Sequence, residues 1–257
     1  GPHEMAQGAV FMPYSGLHIS KDSDVHFNVK GYSRYVWDYE AASHLNVYGR
    51  WMSNGHLEFF DFRNGNRSFN PSEETYDWNH ITGTTSKVLP LKKLAYNGKT
   101  TDHRNYSDQS FLAGVHGCDK VSMFAVRLHD IYSDTSFRAD KSYFFFDDMV
   151  LCMGSGISSA DRKNPVSTTL FQDMRGAGKQ KADNIYEDAS FVYVVKDGDV
   201  KMEAEGKRTI VYVDHGVASR NSGYEYYMIK DKKIAESVVA APPVEVLRRD
   251  HSGHIVR

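Results

Sequence analysis

An extended strand in which every second side chain is apolar can bury only one of its faces, and this alternation is the strongest periodic signal in the chain. Val25, Phe27 and Val29 alternate with His26, Asn28 and Lys30. A similar run opens at Val121, Met123 and Ala125 and continues through Val126 and Leu128. Further strands are expected over residues 57–62, 143–153, 191–195, 209–213 and 224–229, all rich in the β-branched and aromatic side chains that fit a pleated, half-buried surface. Asn64-Gly65, Asn97-Gly98, Asp197-Gly198 and Ser222-Gly223 supply turn chemistry between them, and Asp147-Asp148 reads as a hairpin tip. Helical periodicity is confined to residues 232–240, which Pro242-Pro243 would end. Residues 97–110 and 176–187 are polar and read as surface loops. The expected fold is all-β: a large antiparallel β-sandwich with few short helices.

At 257 residues such a sandwich can bury a substantial core, and an aromatic content of 13% supports one. The formal net charge of −2 gives no electrostatic case for nucleic acid as a partner, although a local basic groove remains compatible with it. No apolar run approaches the roughly 18 residues of a membrane-spanning helix, so no membrane partner is expected. Cys118 and Cys152 are read as a buried and an incidental thiol, with a disulfide between them as the alternative. There is no CxxC or Cys/His cluster, and His251 and His254, the closest histidine pair, fall at an end expected to fray. No metal site is assigned. Residues 1–5, Gly-Pro-His-Glu-Met, read as an expression scar. A single domain is expected over 6–257, cut at both ends, because the chain stops at His254-Ile255-Val256-Arg257 in apparent mid-strand.

Two stretches could carry chemistry. Residues 35–55, YVWDYEAASHLNVYGRWMSNG, interleave Trp37, Tyr39, Tyr48 and Trp51 with Asp38, Glu40, His44, Asn46 and Arg50. Aromatic faces stack on sugar rings and the polar groups can bind hydroxyls, sulfates or carboxylates; a strand pair with amphipathic aromatics at a sheet rim has the same composition. Residues 75–91, TYDWNHITGTTSKVLPL, place Trp78, Asn79 and His80 before a glycine turn. These three either line a groove or are a packed tryptophan with turn-satisfying neighbours.

In order and spacing the two stretches resemble polysaccharide lyase family 8, and in particular its chondroitin sulfate ABC lyases. The likeness continues through KSYFFFDDMVLCMGSGIS (141–158), NPVSTTLFQ (164–172) and DHGVASRNSGYEYYMI (214–229), and closes at VLRRD (246–250). It implies a supersandwich of the galactose-mutarotase-like type, belonging to an enzyme that cleaves uronic-acid-containing glycosaminoglycans by β-elimination. The principal Tyr, His, Arg and Asn of that chemistry would lie on an α/α toroid preceding the sheet domain. This sequence has no long amphipathic helices to build it, so the fragment alone is expected to be inactive.

By position, the resemblance makes Glu40 the carboxylate that reaches across the cleft to orient catalytic basic residues, with Glu73 and Glu74 as runners-up. Some members carry Asn three residues beyond that glutamate, where Ser43 stands here, which puts direct substrate contact at Ser43 in doubt. Trp78, Asn79, His80, Arg50 and Asn46 are the candidate substrate-binding residues, with a structural role at the strand pair as the alternative for the last two. The implied substrate is chondroitin or dermatan sulfate, with hyaluronan or a heparan-type polymer as the alternative. The implied partners are that glycosaminoglycan and the toroid, and the implied location is secreted or periplasmic. No cofactor is expected in this fragment, while the resemblance leaves room for a divalent cation in the whole enzyme. The rival readings are a non-catalytic glycosaminoglycan-binding module and a purely structural sheet.

Overall fold

A computed structural model describes residues 7–42, 45–72, 74–96, 104–117 and 121–257. The first five strands, β1 (Gly8–Met12), β2 (Leu17–Lys21), β3 (Val25–Lys30), β4 (His56–Asp61) and β5 (Asn66–Arg67), make an antiparallel meander in chain order. Next come β6 (Thr85–Lys87), a single helical turn α1 (Leu91–Leu94), and β7 (Leu112–His116), β8 (Ser122–His129), β9 (Arg138–Phe145) and β10 (Met149–Ser158). They are followed by β11 (Val166–Asp173), β12 (Lys179–Ala182), β13 (Ile185–Glu187), β14 (Val192–Asp197), β15 (Val200–Glu205), β16 (Arg208–Gly216) and β17 (Ser222–Ile229). Helix α2 (Lys232–Ala240) and the hairpin β18 (Val246–Asp250)–β19 (Gly253–Val256) complete the described chain. An eight-stranded sheet runs β12-β13-β14-β17-β10-β9-β8-β7, and a four-stranded one runs β15-β16-β11-β6.

The large sheet is the middle layer. On one face Tyr143, Phe145, Cys152, Tyr193 and Tyr226 pack against Phe27 and Phe59 of the first meander and Phe171 and Val211 of the four-stranded sheet. Phe27 meets Phe145 at 5.6 Å between ring centroids, and Phe171 meets Tyr193 at 4.7 Å. On the other face Phe144, Leu151, Met153, Val194 and Tyr227 are covered by Ala235 and Val238 of α2 and by Val244. With both faces covered, the central strands have no polar face, which is why residues 143–153 read as a continuous apolar run. Each fully buried large side chain contributes roughly 1.5–3 kcal/mol of transfer free energy, so these two interfaces carry most of the hydrophobic driving force.

The all-β expectation holds, with local corrections. Residues 143–153 are two strands around the Asp147-Asp148 turn, as its hairpin reading requires. Ser222-Gly223 is no turn: it begins β17, where Ser222 pairs with Ile157. Residues 176–187 are not simply a loop, since β12 and β13 pair there as an edge hairpin whose outer strand, Lys-Gln-Lys-Ala, is exposed. Eight consecutive residues of β11 are buried although five are polar, a pattern that hides a doubly covered strand from an apolar-periodicity search. His254 is not frayed: its ring lies between Ser142 Oγ (2.6 Å) and Ser155 Oγ (2.8 Å). Cys152 is a buried thiol. Cys118, Ser43, Glu73 and Asn97-Gly98 lie outside the described residues.

Candidate functional site

Strands β3 and β4 are hydrogen-bonded neighbours, yet residues 31–55 leave and return between them. A connection this long must satisfy its own backbone. Asp38 does much of that work: its carboxylate accepts from Tyr39 N (2.7 Å) and Asn105 N (3.0 Å), and its carbonyl accepts from the Ser53 hydroxyl. Val36, Tyr39, Ala41 and Trp51 are buried and anchor the segment, leaving Tyr35, Trp37 and Glu40 outside.

Glu40 stands at the mouth of a cleft of about 500 Å³ between this segment and the outer face of the first meander. Its walls include Trp37, Asp38, Asn46, Lys30, His56 and Glu58. Asn46 adopts a left-handed φ of 50° and turns its amide back to donate to the Glu40 carbonyl at 2.8 Å. That amide lies over Gly49, where an added Cβ would sit 2.4 Å from Asn46 Oδ1. Asn46 thus fixes the backbone that carries Glu40. The Glu40 carboxylate, with 58% of its side chain exposed, pairs with Arg104 at 3.3 Å. The Arg104 guanidinium covers the Trp37 ring at 5.1 Å, and Tyr106 meets Trp37 edge-on. An exposed pair of this kind stabilises the fold by under about 1 kcal/mol, so its carboxylate can exchange partners at little cost.

Deeper in the cleft the groups are desolvated. Burial pulls the Lys30 amine down to about 8, with Asp38 acting against it, while its Nζ donates to the carbonyls of Ser15 (2.7 Å) and Gly31 (2.9 Å). Burial also pulls the His56 imidazole down to about 4, so it is neutral at pH 7.

The other predicted residues sit elsewhere. Trp78 packs with Trp51, Tyr76, Ile81 and Leu89 in a separate apolar cluster, one ring behind Phe69, which itself lines the cleft. Both ends of the Asn79 amide are used: Nδ2 donates to Leu89 O and Oδ1 accepts from Leu89 N, each at 2.9 Å. His80 is buried, with Nδ1 2.8 Å from Asp77 Oδ2 and its ring 4.7 Å from that of Tyr212. The Gln172 side chain holds this turn by bonding Asp77 N, Asp77 O and His80 O. Arg50 donates to Lys93 O at 3.0 Å and lies beside the Tyr39 phenol, which burial pushes up to about 12. Glu40 and Asn46 are therefore brought to one cleft, whereas Arg50, Trp78, Asn79 and His80 do not line it. Glu74 is exposed.

A fully buried pair beneath the segment went unread in the sequence. Lys141 Nζ donates to the carbonyls of Asn54 (3.1 Å) and Gly83, and Tyr143 Oη donates to those of Gly55 (2.6 Å) and Gly83 (3.0 Å). Burial drives the Lys141 amine well below its usual range. These two side chains of β9 tie the end of the first motif stretch, Asn54-Gly55, to the glycine turn in the middle of the second. Their signal was a lysine and a tyrosine on the same side of a strand whose neighbours are apolar. Among the described residues no group of three or more His, Cys, Asp or Glu is placed to hold a metal ion.

Residues 15–191 match the family model described as polysaccharide lyase family 8, super-sandwich domain. The chain belongs to that family. It is 28% identical to the chondroitin sulfate ABC exolyase of Bacteroides thetaiotaomicron over 97% of its length, and 26% identical to the chondroitin sulfate ABC endolyase of Proteus vulgaris over 99%. It spans only 28% and 29% of those two relatives. Among solved structures, the fold matches Streptomyces coelicolor chondroitin AC lyase (TM-score 0.77, 18% identity, covering 100% of this chain and 38% of that one). It also matches Paenibacillus xanthan lyase (TM-score 0.78, 18% identity, covering 99% and 28%).

Proposed function

We propose that this chain is the sheet domain of a chondroitin or dermatan sulfate lyase, with Glu40 as its contribution to the reaction. The observation that carries the reading is the placement of Glu40: exposed at a cleft mouth, on a backbone fixed by Asn46, and paired with a guanidinium it can exchange. The relatives named as chondroitin sulfate lyases support the substrate class. β-Elimination removes the C5 proton of a uronate, breaks the bond from C4 to the bridging oxygen, and leaves a C4–C5 double bond. It needs a group opposite the uronate carboxylate, a base at C5 and an acid for the leaving oxygen. A carboxylate in the position of Glu40 holds a basic side chain by charge-assisted hydrogen bonds, setting its direction and its protonation. The remaining groups belong to a preceding α/α toroid in this reading. Action on an extracellular polymer places the enzyme outside the cytoplasm, secreted or periplasmic. No cofactor is assigned to this domain.

Two measurements test the proposal. The chain alone, incubated with chondroitin sulfate, is expected to give no ultraviolet-absorbing unsaturated product; turnover would show that the whole site is here. In the full reading frame, Glu40→Gln is expected to lower kcat roughly tenfold or more, about 1.4 kcal/mol, with little change in KM and a displaced pH profile. An unchanged kcat and pH profile would remove Glu40 from the reaction.

A further inference from the structure

We infer that Glu58 is a specificity-determining residue of the cleft: it makes the sheet wall a subsite for a neutral sugar ring and acts against a ring that carries sulfate or carboxylate. The inference rests on the lyase reading for the identity of the polymer, and on strand register and hydrogen bonding for the site. Residues directly opposite in an antiparallel ladder project from the same face. Asn28 lies opposite Glu58 and Lys30 opposite His56, and all four line the cleft. The two pairs are two residues apart along β3 and β4, a separation of ~7 Å. The charges of the other lining groups are matched locally. Asp38 acts on the Lys30 amine, Glu40 pairs with Arg104, and His56 is neutral at pH 7. Glu58, half-buried, meets an amide instead: Asn28 Nδ2 donates to Glu58 Oε2 at 3.3 Å. Asn28 Oδ1 lies 2.8 Å from His26 Nε2, which sets the amide with its nitrogen towards Glu58. A carboxylate whose partner is uncharged leaves its own charge in the cleft.

That charge decides which sugar fits. A carboxylate accepts hydrogen bonds and donates none, so a partner must bring O–H or N–H groups. A sulfated ring placed there would set acceptor against acceptor and like charge against like charge. A ring with free hydroxyls, or with an acetamido N–H, supplies the missing donors. The apolar part of the subsite is Phe69, which lines the same cleft. Its ring stands edge-on to His56 at 5.1 Å, to Tyr76 at 5.7 Å and to Trp78 at 6.0 Å, so it is backed on several sides. A ring held in this way offers a fixed surface to the apolar face of a pyranose. In a polymer that alternates uronate with N-acetylhexosamine, the unsulfated hexosamine is the unit that meets both conditions. Trp78 then serves the cleft from behind, by holding Phe69 in place.

The test is made in the full reading frame, with unsulfated chondroitin, chondroitin 4-sulfate and chondroitin 6-sulfate as substrates. Glu58→Gln keeps the shape of the side chain and removes its charge. It is expected to raise kcat/KM on the 4-sulfated or the 6-sulfated polymer, according to which substituent faces the wall, about tenfold relative to unsulfated chondroitin, the effect of one partly screened like-charge contact. Asn28→Asp adds a second carboxylate to the same wall and is expected to move that ratio the other way. Phe69→Ala is expected to raise KM on all three polymers and leave the ratio alone. Melting curves check that each variant folds. A ratio that Glu58→Gln leaves unchanged for both sulfated polymers, or lowers, overturns the inference. So does an equal loss of kcat on all three with a displaced pH profile, which would put Glu58 in the reaction itself. A full-length parent that cleaves none of these polymers refutes the lyase reading, whereas cleavage with a ratio indifferent to Glu58 refutes the subsite alone.

Discussion

Gly83 joins the two motif stretches, and replacing it with alanine isolates what that junction is worth. Its φ is +81°, a left-handed backbone that costs an alanine about 1–2 kcal/mol. An added Cβ would lie 2.6 Å from Leu57 Cβ, 2.7 Å from Leu57 N and 2.9 Å from Gly55 O. Two of those three atoms are backbone of segments that cannot yield separately, because Gly83 O accepts from both Lys141 and Tyr143 and Gly83 N donates to Thr169 O at 2.8 Å. Overpacking of this kind costs a further ~1–3 kcal/mol, so Gly83→Ala should lose roughly 2–5 kcal/mol in all. Gly65 is the control: its φ is +69°, but an added Cβ would meet nothing within 4 Å. Gly65→Ala should therefore show the conformational cost alone, about 1–2 kcal/mol. Urea unfolding at constant m-value measures both, and each kcal/mol should appear as about 2–4 °C in Tm. If the two variants lie within about 0.5 kcal/mol of each other, the close approach at Gly83 is not sterically constrained and the stapling argument is wrong.

Stability should also fall as pH drops from about 6.5 towards 4. Burial pulls His18, His56 and His215 from 6.5 to about 4, with His116 adding to the effect at His18 and Lys141 at His215. The unfolded chain therefore takes up protons first, for a ceiling of roughly 3 kcal/mol per histidine. Asp188, raised by burial to about 6, runs the other way over pH 6 to 4 and offsets part of one histidine. A urea midpoint that stays level from pH 7.5 to 4.5, or a His18→Gln variant as pH-sensitive as the parent, would contradict this assignment. Cys152 is fully buried and its thiol is pushed up to about 12, so under native conditions peptide mapping should find it unalkylated by iodoacetamide and modified only after unfolding. Rapid native labelling at that position would show that the core opens there.

Two kinds of strand are legible in the sequence: those with one wet face, and those covered on both faces whose side chains form a continuous apolar run, as over 143–153 and 191–195. Residues 25–29 alternate because β3 lies at the outside of the sandwich, and α2 shows helical spacing because only Ala235 and Val238 of it are buried. The parts that were not legible have neither signal: β11 is buried throughout with mostly polar side chains, and β12 is exposed throughout. Neither has a contrast for a period-2 search to detect. The candidate site divides in the same way. The 35–55 segment stands out in sequence by its interleaved aromatic and polar residues, whereas Glu40 and Asn46 within it are singled out by their match to family positions. Trp78, Asn79 and His80 are just as polar and aromatic in sequence, yet their hydrogen-bonding groups are largely turned inward onto Leu89, Asp77 and Gln172.

That contrast bears on how the cleft is held. A loop of 25 residues cannot position a carboxylate by its own stiffness, since ordering each of its residues costs about 1–2 kcal/mol. The order comes from the buried Val36, Tyr39, Ala41 and Trp51 and from polar contacts: Asp38 to Asn105, Ser53 to Asp38, Lys141 and Tyr143 to Asn54, Gly55 and Gly83. Loss of the Tyr143 hydroxyl would leave the buried Gly55 carbonyl without that donor, at about 1–3 kcal/mol. The 75–91 stretch then has a physical reason to accompany the 35–55 stretch even without touching the cleft. Its turn supplies Gly83 O, the acceptor shared by the two β9 side chains that also fasten Asn54 and Gly55. The inward residues of the second motif and the outward carboxylate of the first are two ends of one hydrogen-bonded support.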